Sequence, residues 1–158
     1  PVPARWDVDI DEAKIIMEKI EGTPLIEILR SNEHDEELLI KVGRSIRELH
    51  RNAVNHGDLS TNNILISDNR DAFLIDLGLA TREYDLEGFV IDLHVLHEIL
   101  RASHPDVKGA MDLVLKGYSQ LDEELGKPEA APGGFPPDAE DVIKRLGQIM
   151  KRVRYHGG

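Results

Sequence analysis

Three polar residues stand at fixed intervals in the stretch HGDLSTNNILISDNRDAFLIDLGLA, residues 56–80: Asp58, Asn63 five positions later, and Asp76 two positions before Gly78. A carboxylate on a loop can approach a substrate hydroxyl, and an amide oxygen five residues on can bind a cation. A second carboxylate at the end of the next strand faces the same cleft when the two strands are hairpin partners. Mg2+ takes hard oxygen ligands and is usually held by one or two carboxylates together with the phosphates of a substrate. Asp, Asn and Asp in this order are the set that phosphoryl transfer uses, one acid beside the attacking hydroxyl and two oxygen donors for the metal. Taken singly, each residue is what a turn or a strand end employs anyway. The three together, with His56 before and Asn-Ile-Leu after, specify the chemistry.

The flanking segments must position these groups. ILIS and AFLID, on either side of DNRD, are too short for helices and rich in branched or aromatic residues, so they read as a hairpin. Upstream, Pro1 to Asp9 is weakly alternating and Lys14 to Glu18 is a buried-type strand. Thr23 is expected to begin a helix with Pro24 near its first position. From Glu33 to Arg51, Leu39, Val42, Ile46 and Leu49 recur at helical spacing, with acids first and bases last as the helix dipole prefers; Gly43 weakens the helix slightly. Further helices are expected over Leu86–Ala102 and Val107–Gln120. GKPEAAPGGFPP, residues 126–137, reads as a loop or flexible insert, after which Asp138 caps a last helix through about Arg154.

The chain has 158 residues, 41% of them apolar, enough for one domain with a sizeable core. It has no cysteine, which excludes disulfides and thiolate metal sites. A formal net charge of −11 argues against broad nucleic-acid binding. The C-terminal stretch runs the other way: Lys144, Arg145, Lys151, Arg152 and Arg154 carry no acid among them, as a solvated helix face or as a tail for RNA or an acidic partner. No membrane-length apolar run or leader is seen, so a cytoplasmic location is expected. His94, His97 and Glu98 share a helix but are too few for a closed metal site. His-Gly-Asp without a Gly-x-Ser-x-Gly elbow is not a hydrolase signature.

HGDLSTNNILI with LIDLGLA resembles the catalytic and metal-binding loops of the protein-kinase-like superfamily, and His-Gly-Asp in place of His-Arg-Asp points to its atypical branch. Within that branch, YDLEGFVIDLHVLHEILRASHPD is similar to the pattern of the KEOPS-associated, PRPK-like kinases. The resemblance covers most of the chain, from IIMEKIEG to KRVR. It implies an α+β, protein-kinase-like fold, with a mainly helical C-terminal lobe and a short β-hairpin at the catalytic cleft. Residues 1–22 would be the last strands of the small lobe and the hinge, and residues 23–158 the large lobe with its insert and basic tail.

By the same resemblance Asp58 is the catalytic acid, and Asn63 and Asp76 hold Mg2+. Met17, Glu18 and Ile20 meet the adenine of ATP at the hinge, the last two through backbone groups, with Leu65 as the floor under the base. Asp92 is the buried helix acid that holds the catalytic loop. Gly57 in place of Arg argues against control by a phosphorylated activation loop. Ser60, and Gly88 with Phe89, depart from family positions, and Leu77 for Phe is a mild change. The implied activity is that of an Mg2+–ATP-dependent serine/threonine kinase or ATPase supporting threonylcarbamoyladenosine modification of tRNA. The implied partners are a threonylcarbamoyl-transferase subunit, other KEOPS subunits, and tRNA through the basic tail.

A phosphate grip is not visible. No G-x-G-x-x-G occurs, only sixteen residues precede Met17, and Lys14 is a poor stand-in for the strand lysine that pairs with phosphate. The expectation is therefore a large lobe with little of the small one. A non-catalytic, partner-binding lobe, or a RIO-type or small-molecule kinase, remains the alternative.

Overall fold

The computed structural model describes residues 1–156; Gly157 and Gly158, the end of the expected basic tail, lie outside the described residues. The chain opens with an antiparallel hairpin, β1 (Arg5–Asp9) and β2 (Lys14–Met17). All four residues of β2 are exposed, against the buried-type reading of Lys14–Glu18, because β2 pairs with β1 in a two-stranded ribbon. Next comes β3 (Gly22–Pro24), where the sequence had suggested a helix start. Thr23 pairs with Ile66 as a strand residue, and Pro24, at φ −57° and ψ 140°, is the N-cap of α1 (Leu25–Arg30). The proline fixes φ for helix entry but its own ψ is extended, which moves the first helical residue one place on.

Helix α2 (Glu36–Arg51) starts where Asp35 Oδ1 accepts the Leu38 N–H at 2.8 Å, a side-chain N-cap. It leads through β4 (Val54–Asn55) to the catalytic stretch, then β5 (Ile64–Ser67), β6 (Ala72–Leu74) and β7 (Thr81–Arg82). The expected hairpin is present. Ile64, Leu65 and Ile66 face Leu74, Phe73 and Ala72, and the sheet order is β3-β5-β6. Ile64 and Ile66 point into the core while Leu65 and Ser67 are half-buried on the opposite side, as strand alternation requires.

Three long helices complete the fold: α3 (Leu86–Ser103), α4 (Ala110–Leu125) and α5 (Ala139–His156). Helix α4 lies about three residues later than the apolar spacing indicates at its start, and five later at its end. Gly109 has φ +72° and serves as the N-cap, so the preceding residues cannot continue the helix. At the other end Asp122, Glu123 and Glu124 oppose the helix dipole, but Arg47 and Arg51 ion-pair with Asp122 and Arg44 with Glu124. These neighbours extend the helix by more than a turn.

Helix α2 is the spine of the lobe. Leu38, Leu39, Val42 and Ile46 pack with Phe89, Val90, Leu93 and Leu96 of α3, Val114 and Tyr118 of α4, and Val142 and Leu146 of α5 in one core. Full burial of each such side chain contributes roughly 1.5–3 kcal/mol. Helices α2 and α4 approach backbone to backbone at two glycines. A Cβ on Gly43 would collide with the Val114 carbonyl, and one on Gly117 with the Ile40 carbonyl. Gly43 is thus the crossing point rather than a weak spot. Below it, the fully buried His50 ring lies 4.7 Å from Phe89 and hydrogen-bonds Asp92 of α3 and Tyr118 of α4.

Two outcomes follow from this packing. Gly43→Ala gains at most about 1 kcal/mol of helix propensity but forces two backbones apart, at about 1–3 kcal/mol or more. Urea denaturation should therefore show a net loss of stability; a gain would mean the helices do not cross there. The second concerns acid. Burial pushes the His50 imidazole below its ordinary 6.5, against the opposing pull of Asp92. Burial also lowers His97 and His104. The unfolded chain therefore binds protons that the folded chain refuses. Stability is full above about pH 6.5 and falls as pH drops through the folded pKa values. Denaturation midpoints between pH 8 and 5 should fall on acidification, with a shallower slope in His50→Gln; an unchanged slope would exclude His50 as a source.

Candidate active site

The hairpin sets Asn63 beside Asp76. The Ile75 N–H donates to the Asn63 carbonyl at 2.9 Å, one step beyond the β5–β6 ladder, so the residue after Ile75 leaves the sheet next to Asn63. Strand β6 stops at Leu74, two residues short of the AFLID reading, because Asp76 has φ +58°. Among non-glycine residues Asp and Asn tolerate this left-handed conformation best. Asp76 is exposed, and among the described residues none donates a hydrogen bond to its carboxylate. A Cβ at Gly78 would stand 3.5 Å from Asp76 Oδ1, so the glycine keeps the space beside that carboxylate open.

Asn63 also reaches back to Asp58. Its Nδ2 donates to the Asp58 carbonyl at 2.9 Å and to Asp58 Oδ2 at 3.2 Å. With the amide nitrogen so engaged, Asn63 Oδ1 is the free atom, as an oxygen ligand to a cation needs. The structure thus joins Asn63 to Asp58 through side-chain hydrogen bonds and places Asp76 one residue beyond the Ile75–Asn63 backbone bond. Among the described residues no group of three or more His, Asp or Glu side chains can hold a metal. One free amide oxygen and one free carboxylate fit the habit of Mg2+, which completes its octahedron with water and substrate phosphates. His94 and His97 join no such group, and Glu98 pairs with Arg101 at 2.8 Å.

Beneath these exposed groups lies a buried frame. Asp92, 2% exposed, accepts the His56 N–H at 2.6 Å through Oδ2 and the Gly57 N–H at 3.0 Å through Oδ1. His50 Nε2 donates to the same Oδ2 at 2.9 Å. Gly57 has φ +81°, and a Cβ there would strike the Leu79 carbonyl. The position where the resemblance would have placed an arginine is therefore where the chain after Asp76 crosses the loop at residues 56–58, and that crossing admits only glycine.

His56 staples the two loops together. Its Nδ1 accepts the Asp58 N–H at 3.2 Å, which leaves the proton on Nε2 to donate to the Ile75 carbonyl at 2.8 Å. Sequence reasoning used His56 only as a flanking marker; its place directly before Gly-Asp was the available signal. His104 was also missed as a support. It is buried, and its Nε2 lies 3.4 Å from Thr61 Oγ1 in the loop, while the Thr61 carbonyl accepts the Ile26 N–H at 3.0 Å. Gly88 and Phe89 serve packing: a Cβ on Gly88 would meet the Glu83 side chain, and Phe89 is fully buried.

The hinge residues lie between β2 and β3. Met17 is 50% exposed. The Glu18 N–H donates to the Ala4 carbonyl at 2.7 Å. Among the described residues the Glu18 carbonyl and the Ile20 N–H have no hydrogen-bond partner. Leu65 pairs with Pro24, the last residue of the strand that follows the hinge. Lys14 Nζ pairs with Glu12 at 2.8 Å across the hairpin turn and not with Asp58 or Asp76. In the basic stretch, Arg145 Nε binds Glu87 at 2.6 Å, whereas Lys151, Arg152 and Arg154 are exposed. Among the described residues no helix is long and apolar enough to cross a membrane.

The chain matches known proteins in sequence and in fold. Residues 5–109 match the lipopolysaccharide kinase (Kdo/WaaP) family. The chain is 31% identical over 154 residues to a probable serine/threonine-protein kinase BUD32 homolog of Archaeoglobus fulgidus, covering 98% of this chain and 68% of that protein. It is 35% identical to the KEOPS complex subunit Bud32 of Pyrococcus abyssi, covering 98% of this chain and 66% of the relative. A probable bifunctional tRNA threonylcarbamoyladenosine biosynthesis protein of Methanosarcina acetivorans is 34% identical over 98% of this chain, which spans only 24% of that longer protein. Among solved structures, WbdD bound to a kinase inhibitor superposes with a TM-score of 0.51 at 18% identity, over 78% of this chain and 32% of WbdD, a likeness of fold. By sequence match and by fold, the chain belongs to the kinase-like family that includes the Kdo/WaaP and Bud32 proteins.

Proposed function

We propose that this chain is the large lobe of an Mg2+–ATP-dependent phosphotransferase or ATPase of the Bud32 kind, acting in a KEOPS-type assembly that supports threonylcarbamoyladenosine formation in tRNA. One observation carries the chemistry: the Asn63 amide is held by Asp58 so that its oxygen is free, one hairpin step from the free carboxylate of Asp76. In this reading Asn63 Oδ1 and the Asp76 carboxylate hold Mg2+. The bound ion would neutralise charge developing on the transferred phosphate oxygens. Asp58 takes the proton of the attacking hydroxyl, from an acceptor side chain or from water, and its backbone is fixed for that task by His56 and Asn63. The Glu18 carbonyl and the Ile20 N–H are the hinge groups for adenine, with Met17 and Leu65 on either side of the ring.

Residues 1–22 belong with the small lobe in the same reading. Ile15, Ile16 and Met17 are 46–59% exposed on a two-stranded ribbon, the surface a further β-layer would cover. The threonylcarbamoyl-transferase subunit, other KEOPS subunits and tRNA are the proposed partners, and exposed Lys151, Arg152 and Arg154 are the tail's proposed contacts with RNA or protein. The names of the relatives support this assignment.

The test separates metal from proton. In the full-length protein, Asp76→Ala should weaken Mg2+–ATP binding by at least about tenfold, since even outer-shell changes cost that much in metal affinity. Equilibrium binding of ATP with and without Mg2+ measures it, and undiminished Mg2+-dependent affinity would overturn the metal assignment. Asp58→Asn should keep that binding and lower turnover by about 10²–10⁴-fold, the scale of lost acid–base catalysis. Turnover within a factor of two of the parent would remove Asp58 from the reaction.

A further inference from the structure

A single file of hydrogen bonds runs from the far side of the lobe to the catalytic loop, and its direction is fixed chemically. Arg47, 0% exposed, donates through Nε and Nη2 to the two oxygens of Asp122 at 2.8 and 2.9 Å, and through Nη2 to the Pro137 carbonyl at 2.9 Å. Its Nη1 donates to the Tyr118 hydroxyl oxygen at 3.3 Å, with the guanidinium carbon 5.1 Å from the ring centroid. Arginine has five N–H donors and no acceptor, so the Tyr118 hydrogen must point elsewhere. Burial pushes the Tyr118 hydroxyl above the ordinary phenol range, and it keeps its proton. That proton is donated to His50 Nδ1 at 2.7 Å. His50 is thereby held as the Nε2–H tautomer and donates to Asp92, the carboxylate that holds the His56 and Gly57 amides.

We infer that Tyr118, oriented by Arg47, is a positioning residue for the catalytic loop: by donating to Nδ1 it anchors the His50 ring, so that the Nε2–H which Asp92 requires stays in place in the donor shell of Asp92. The inference rests on Asp58 being the reactive acid of the proposed function, because the amides in question directly precede it. The same cluster ties the loop to residues 126–137. Arg51 donates to the Gly126 carbonyl at 2.6 Å and to Asp122, and the Ala139 N–H also binds Asp122. Burial would raise the Asp122 carboxyl, but Arg47, the Ala139 N–H and Arg51 outweigh it and hold it low. One end of the Pro/Gly-rich loop, at Pro137, therefore sits on Arg47, where the file starts, and the other, at Gly126, on Arg51 one turn further along α2.

Without the hydroxyl, His50 Nδ1 becomes a buried acceptor with no donor, which shifts a local opening equilibrium by roughly ten- to hundredfold. In Tyr118→Phe, nitrogen NMR should show the His50 Nδ1 resonance shifted toward that of an acceptor with no hydrogen-bond donor. Exchange of the His56 and Gly57 amides should rise by at least about tenfold more than exchange of amides in α3. An unshifted Nδ1 resonance, or amides that exchange as in the parent protein, would overturn the inference. The unaltered protein supplies a second check that survives any failure of the variant to fold: its His50 must carry the proton on Nε2, and a proton on Nδ1 would refute the file outright. Neither readout depends on turnover, so failure of the phosphotransfer reading would appear separately in Asp58→Asn.

Discussion

The Asp92 carboxylate is the constraint around which the lobe is arranged. A charge buried in the core is tolerated only if donors surround it; removing one partner of a buried pair typically costs about 3–5 kcal/mol. Here the donors come from places far apart in sequence: a helix side chain, His50, and two consecutive backbone amides, His56 and Gly57. Meeting that demand fixes the register of α2 against α3 and forces the chain between them through one turn. Asp58 is the next residue along, so the position of the exposed acid is a consequence of satisfying the buried one. The left-handed φ of Gly57 belongs to the same requirement, since two successive amides aimed at one carboxylate leave its α-carbon facing the Leu79 carbonyl.

This arrangement divides labour between buried and exposed polar groups. Asp58 and Asp76 are exposed, as the proposed function asks of groups that would meet a charged, hydrated substrate. His50, His56, Asp92 and His104 are buried and act on the backbone, on one another, or on the hydroxyls of Tyr118 and Thr61. His56 joins the levels: one ring nitrogen holds the Asp58 amide and the other the Ile75 carbonyl, so the chain at Asp58 and the chain leading into Asp76 share one rigid reference. Asp76 takes a left-handed φ next to a glycine, and the hairpin hydrogen bond at Ile75 holds it there.

Much of this was legible in the sequence, and the reason is locality. The β5–β6 hairpin was readable because two short branched runs flank a turn, and the amphipathic α2 because its period is long and its ends are charged in the favourable sense. The Asp58, Asn63, Asp76 set was readable because its intervals are carried by a few adjacent residues. Errors came where a distant partner decided the outcome. Thr23 became a strand residue because Ile66 offered a ladder. Helix α4 outran its unfavourable acidic end because three arginines from α2 were waiting. Gly43 looked like a flaw because the carbonyl of Val114 is invisible from α2 alone. The roles of His50, His104 and Tyr118 depend on partners forty or more positions away, beyond any reading of spacing.

The stretch 126–137 shows how far composition can be taken. Its prolines and glycines do exclude regular helix and strand, and Gly133 and Gly134, both at positive φ, lie against the Tyr84 ring. Yet Pro128 and Pro136 are buried, and the Tyr84 hydroxyl donates to the Pro132 carbonyl. Irregularity is a property of the local backbone, whereas anchoring is a property of what the backbone carbonyls find. A segment that cannot pair its own carbonyls offers them to any buried donor within reach, and Arg47 and Arg51 have donors to give because Asp122 has already drawn them to this end of α4. The absence of secondary structure is thus what allows this loop to be tied so directly to the polar core of the lobe.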